Sequence, residues 1–232
     1  IVTAAPTIEP PRAAGAFEMY RALVGGGIFC GLLIVTVYQV TKPIIAENRA
    51  EALQAAVFTV IPEARSSRTF RLTDAGGFEA VSGDARDGEL VYAGYDDEQR
   101  LVGVAIRAQG MGYQDVITVL YGYSFEKDAI VGMKVLETKE TPGLGDRIET
   151  DEDIRRNFEA LDVSLAEGGE ALANPIEAVP SGEKEHAWQV DAITGATISS
   201  VAIADMLRDS AARWVPRLEE HRSVFVKGGD DA

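Results

Sequence analysis

Eighteen consecutive residues without a charge, LVGGGIFCGLLIVTVYQV from Leu23 to Val40, constrain this chain more than any other feature. With Ala22 and Thr41 the run reaches about 20 residues, roughly what an α-helix needs to cross the hydrocarbon core of a bilayer. A secretory signal carries a shorter apolar region and a small-residue cleavage site. Val40 is followed instead by Thr-Lys-Pro-Ile-Ile, so the run reads as an uncleaved anchor. A buried core helix is the competing reading, and the length and lack of charge disfavour it. Arg12 and Arg21 before the run nearly balance Lys42 and Arg49 after it, so the positive-inside rule barely votes on orientation. Gly27 and Gly31 form one GxxxG pair, a place for a second helix to approach.

The expected organisation is an N-terminal segment over 1–21, a membrane helix over 22–42, an extramembrane domain over 43–226 and a disordered tail over 227–232. The formal charge is −15, and residues 1–42 hold only three of the 22 basic and two of the 37 acidic residues. The acidity therefore lies in the extramembrane domain, which nucleic acid and anionic lipid surfaces would repel. Cys30, the one cysteine, lies inside the apolar run. That excludes a disulfide framework or a cysteine-ligated metal in the domain. His186 and His221 have no partner pattern, so no metal site is expected. Neither GxGxxG nor a Walker motif is present, which argues against dissociable dinucleotide binding.

Asn48–Val60 has amphipathic helical spacing and ends before Pro62. Short strand-like runs follow at Thr69–Leu72, Leu90–Ala93, Leu101–Ala108, Val116–Tyr123 and Ile130–Glu137, separated by turn signals such as Asp74-Ala-Gly-Gly and Glu126-Lys-Asp. Asp151–Leu161 and Val201–Trp214 have helical periodicity. Runs of strands flanked by separate helices predict an α+β fold with an antiparallel sheet.

The tract with most chemical content is VDAITGATISS, Val190 to Ser200. Trp188, Val190 and Ala192 alternate with Gln189, Asp191 and Ile193 as in a half-buried strand. Gly195 suits the reversal that follows, and Ser199 and Ser200 are N-cap candidates for the next helix. Thr197 then sits just before a helix N-terminus, where free N–H groups and the helix dipole favour a phosphate by roughly 0.3–1 kcal/mol. A phosphodiester on its hydroxyl would retain one negative charge for those donors. On spacing alone, an ordinary capped helix explains the tract as well.

Positions 191–197, Asp-Ala-Ile-Thr-Gly-Ala-Thr, resemble the acceptor motif of the FMN-binding G subunit of Rnf-type membrane electron-transport complexes. The C subunit of sodium-pumping NADH:quinone oxidoreductase is a close relative. The resemblance implies FMN esterified through its phosphate to Thr197 by a dedicated flavin transferase that recognises this peptide, with Asp191 as the motif's acid. It also implies cofactor contacts from Thr194, Gly195, Ala196 and Ile198, with Thr194 left unmodified. The segment ETPGLG resembles the family's flavin-ring loop, which carries that role onto Thr141, Gly143, Leu144 and Gly145. Gly110-Met-Gly-Tyr-Gln-Asp resembles its Gly-Tyr loop, with Tyr113 beside the ring. Lys184 is a candidate for the phosphate or a ring carbonyl. The resemblance covers nearly the whole chain, and the acceptor motif is its specific part.

The function so implied is a membrane-anchored flavoprotein electron carrier, one subunit of a translocase that couples ferredoxin and NAD electron exchange to ion translocation. The N-terminus would be cytoplasmic and the flavin domain extracytoplasmic, periplasmic in a Gram-negative cell. Other membrane subunits would be its partners. No catalytic triad or general base is nameable, so no self-contained enzyme is expected. Two alternatives stay open: the quinone-reductase subunit, and an anchored sensory or binding module without flavin.

Overall fold

The computed structural model describes residues 15–81, 88–143 and 145–230. The chain divides into two compact units, Ile1–Arg49 and Ala50–Ala232. In the first, residues 16–49 belong to a helix, α1 (Ala16–Val60, 45 residues), whose most apolar window has a mean hydropathy of 2.0 and no buried residue. This is long and apolar enough to cross a membrane. The sequence suggests two helices, 22–42 and 48–60, but α1 is continuous through Pro43. A proline removes one backbone hydrogen bond and crowds the preceding turn. Good helix formers on its far side, Ala46, Glu47, Ala50, Glu51 and Ala52, carry the helix onward. Of the N-terminal segment, residues 1–14 lie outside the described residues.

The second unit is built on an antiparallel sheet. Its strands are β1 (Ser66–Leu72), β2 (Phe78–Val81), β3 (Leu90–Tyr95), β4 (Leu101–Met111), β5 (Val116–Ser124), β6 (Ala129–Glu137) and β7 (Leu161–Asp162), in the order β2-β1-β3-β4-β5-β6-β7. Two short helices, α2 (Arg147–Thr150) and α3 (Glu152–Arg156), separate β6 from β7. The single helix expected over 151–161 is thus shorter, because Leu161 pairs with Ile130 as strand. A parallel pair, β8 (Glu177–Val179) and β9 (Gln189–Asp191), lies apart from the sheet. Two helices close the chain, α4 (Thr197–Glu220) and α5 (Arg222–Asp230).

Alternation along the strands gives the sheet two apolar faces. Val104, Ile106, Val119 and Tyr121 face a core shared with Ile203, Leu207, Ala211 and Val215 of α4, which recur at helical spacing. Phe225 of α5 completes that core, with its ring 4.9 Å from Phe70 and 4.8 Å from Phe78. α5 runs to Asp230, over part of the segment expected to be a disordered tail from Lys227. Residues 231–232 lie outside the described residues.

Ala105 and Leu120 face the other way, against Ala56, Val57, Val60, Ile61 and Ala64. There, two cross-strand glycine pairs, Gly94–Gly103 and Gly122–Gly132, form a trough across β3 to β6. A Cβ on Gly122 would fall 2.2 Å from the Val60 carbonyl oxygen, and one on Gly132 2.7 Å from it. The end of α1 rests on bare backbone.

Candidate flavin site

The acceptor tract leaves β9 at Asp191, whose carboxylate accepts from Gly182 N at 2.7 Å. Asn157 clamps its backbone: Asn157 Oδ1 accepts from Asp191 N at 2.9 Å, and Asn157 Nδ2 donates to Asp191 O at 3.1 Å. Lys184 joins this cluster, donating from Nζ to Asn157 Oδ1 at 3.3 Å. Burial holds its ammonium below the usual lysine value, with Asp191 pulling the other way. The ammonium thus has a partner on the Asp191 side of the site.

Gly195 turns the chain at φ +88°, and α4 begins at Thr197 itself. The two serines do not cap it. Both are buried, with Ser200 Oγ accepting from Ile193 N at 3.2 Å and Ser199 Oγ donating to Glu140 Oε2 at 2.7 Å. The cap position belongs to Ala196, which has no side-chain acceptor to offer the first-turn N–H groups. Thr197 is exposed, and among the described residues its hydroxyl makes only a long 3.4 Å contact with Ile193 O. Thr194 and Ile198 are exposed beside it.

Arg147, unremarked in the sequence, fixes this turn from below. Its Nη1 donates to Thr194 O at 2.7 Å and its Nη2 to Asp151 at 2.6 Å. That ties α2, next to the TPG loop, to the acceptor motif.

A second residue missed in the sequence, Glu140, gathers the rest. It is 5% exposed and accepts from Gln114 N at 2.9 Å, Tyr113 N at 3.3 Å, Asp115 N at 3.4 Å and the Ser199 hydroxyl at 2.7 Å. Gly112 and Gly145 leave room for it: a Cβ would lie 2.5 Å from its Oε1 at the first and 2.3 Å from its Oε2 at the second. Thr141 extends the link, donating to Gln114 Oε1 at 2.7 Å. Gly143 has φ +79°, a turn position that suits glycine. Leu144 lies outside the described residues. The structure thus brings Tyr113, Thr141, Gly145 and the first turn of α4 together, and groups Asp191 with Lys184 around Asn157.

Burial works to raise the Glu140 carboxyl, but the three N–H donors and the Ser199 hydroxyl outweigh it and hold it below the usual glutamate value. A depressed folded value means stability that is fully present above the unfolded value of 4.5 and lost as pH falls through the lower folded one. Urea denaturation midpoints of the wild type are expected to fall as the pH is lowered from about 5 to about 3. In Glu140→Gln that part of the slope should be missing. Parallel slopes for the two proteins would contradict the assignment.

Around this hub the surface is apolar and open: Met111, Tyr113 and Val116 at the β4–β5 turn, and Ile198 and Val201 on α4. An exposed hydroxyl at an uncapped helix start, beside an apolar shelf, suits a phosphate linked to a flat aromatic ring. The residues present therefore fit FMN.

Residues 112–212 match the model of the FMN-binding domain family. The G subunit of the ion-translocating oxidoreductase complex of Methanosarcina acetivorans is 31% identical over 192 residues, covering 81% of this chain and 87% of that protein. The chain belongs to this G subunit family. The corresponding protein of Cereibacter sphaeroides is 28% identical, covering 97% of this chain and 95% of the relative. Among solved structures, the C subunit of Na(+)-translocating NADH-quinone reductase from Parabacteroides distasonis has a TM-score of 0.57 at 20% identity, covering 74% of this chain and 94% of that one. NqrC from Shewanella oneidensis has a TM-score of 0.51 at 18% identity, covering 81% and 100%. At those identities the likeness carries the fold alone, an antiparallel sheet with flanking helices.

Proposed function

We propose that this member of the G subunit family is a membrane-anchored flavoprotein electron carrier of an Rnf-type complex, with FMN esterified through its phosphate to Thr197. The observation that carries the proposal is the Thr197 hydroxyl, exposed at the first residue of α4 within the matched FMN-binding domain. FMN, when bound, supplies the redox chemistry. The chain's own part is to hold and shape the site. The first turn of α4 offers its N–H groups to the phosphodiester, Gly195 and Arg147 set the turn that presents the threonine, and the Gly-Tyr and TPG loops provide the shelf. The carboxylate of Asp191 and the ammonium of Lys184 sit on the strand side of the turn. Within the tract, Thr194, Gly195 and Thr197 are the exposed residues that a flavin transferase would meet.

In this reading α1 anchors the carrier, residues 43–226 form the flavin domain, and that domain lies on the extracytoplasmic side, where a covalent bond prevents loss of a cofactor that is hard to replace. Tethering holds the flavin near neighbouring redox subunits at a high effective concentration, on the order of millimolar for short linkers. The complex as a whole would move the ion. The quinone-reductase subunit shares the fold, but the curated relatives of similar length are G subunits of ion-translocating oxidoreductase complexes. A flavin-free anchored module finds no support beside the FMN-binding domain match.

The test is the intact mass of the full chain purified from a host containing the flavin transferase. The expected result is a gain of one FMN less one water, located by fragmentation at Thr197. An unmodified mass without flavin fluorescence would refute the carrier assignment.

A further inference from the structure

Glu140 has no role in the electron-carrier reading, yet the site is built around it. Its carboxylate is buried and its partners are neutral: three successive backbone N–H groups and one hydroxyl. Buried carboxylates more often meet a cation, which cancels the charge; neutral donors solvate the charge and leave it in place. The donors come from segments 25 to 59 residues away in sequence. Two glycines leave room for the carboxylate where any side chain would collide with it.

From this geometry we infer that Glu140 is the positioning residue of the flavin site. It locks the Gly-Tyr loop and the TPG loop to the first turn of α4, and it keeps a fixed negative charge beside the flavin carried by Thr197. The inference rests on the assignment of FMN to that threonine. Ser199, which donates to Glu140, is two residues from Thr197, and Glu140 itself is the first residue of the ETPGLG segment. Reduction by two electrons and one proton leaves one additional negative charge on a flavin. A buried carboxylate nearby opposes that charge, so Glu140 holds the midpoint potential down. Glutamine preserves the shape but not the function: it is neutral, and its Nε2 is a donor facing other donors.

The experiment compares full-length wild type, Glu140→Gln and Ser199→Ala, purified in detergent from a host with the flavin transferase. Intact mass establishes loading, potentiometric titration with dithionite gives the midpoint, and visible circular dichroism reports the flavin's surroundings. Hydrogen exchange follows the amides of Tyr113, Gln114 and Asp115. In the FMN-loaded protein, Glu140→Gln is expected to shift the midpoint to a more positive potential and to speed those amides roughly tenfold. Ser199→Ala keeps the charge and loses one anchor. Its flavin dichroism should change, while its midpoint stays nearer the wild-type value than that of Glu140→Gln. A wild-type midpoint in Glu140→Gln overturns the inference, as does wild-type dichroism in Ser199→Ala should the glutamine variant not fold. A wild-type chain without FMN mass removes the carrier reading itself, and this inference with it.

Discussion

Thr197→Ala, made in a host that contains the flavin transferase, is expected to carry no covalent flavin and to keep its fold. The loss should be complete, because an ester needs the hydroxyl. The fold should survive because Thr197 is exposed and, among the described residues, its hydroxyl makes only the 3.4 Å contact with Ile193 O, which still accepts from Ala196 N at 3.0 Å. Alanine is also the better helix former at the first residue of α4, and surface changes of this kind stay within about 0.5 kcal/mol. Thr194 is the rival hydroxyl inside the motif and is also exposed. It lies on the other side of the Gly195 turn, with its own carbonyl held by Arg147, away from the N–H groups that open α4. Flavin that survives denaturation of Thr197→Ala would place the ester elsewhere and sink the assignment. Thr197→Ser retains a hydroxyl in the same position and should still be loaded, which separates loss of the nucleophile from damage to the turn.

The parts of this site that the sequence reveals are those made by neighbours in sequence. Gly195 as the reversal, a helix close behind it and the exposed Thr197 all follow from a short window. Within that window the error is one of direction: Ser199 and Ser200 read as caps, but their side chains point inward and the helix starts at Thr197. Glu140 is hidden for a different reason. Its four donors belong to the turn after β4 and to α4, and no local pattern marks a glutamate before Thr-Pro-Gly as buried. The available hint is a carboxylate set among glycine loops rich in unpaired N–H groups. The fold divides in the same way. Alternation locates β1 and β3 to β6, but β2 has four residues at the sheet edge, and β8 pairs only with β9, beyond an irregular loop. Proline at 43 suggests a break that the helix formers after it override.

Gly122→Ala should be the most damaging of these small changes, although it adds one methyl group to a strand. The new Cβ would fall 2.2 Å from Val60 O and 2.8 Å from Val60 C, backbone atoms that cannot rotate away. Either β5 or the end of α1 must move. Overpacking of this kind costs about 3 kcal/mol, near the upper end of its usual range. For a domain of this size that is a fall in Tm of roughly 6–12 °C, measured by circular dichroism on the full chain in detergent. Gly77→Ala is the control, since a Cβ there meets nothing nearer than 3.8 Å. Its Tm should stay close to that of the wild type, and equal values for the two variants would show that the trough is not a tight seat. The trough lies on the Ala105–Leu120 face of the sheet, whereas α4 packs on the Val104–Tyr121 face. Protein that folds despite Gly122→Ala is therefore expected to load FMN normally. Stability and flavin attachment would then separate onto opposite faces of one sheet: one gripping the end of α1, the other presenting Thr197.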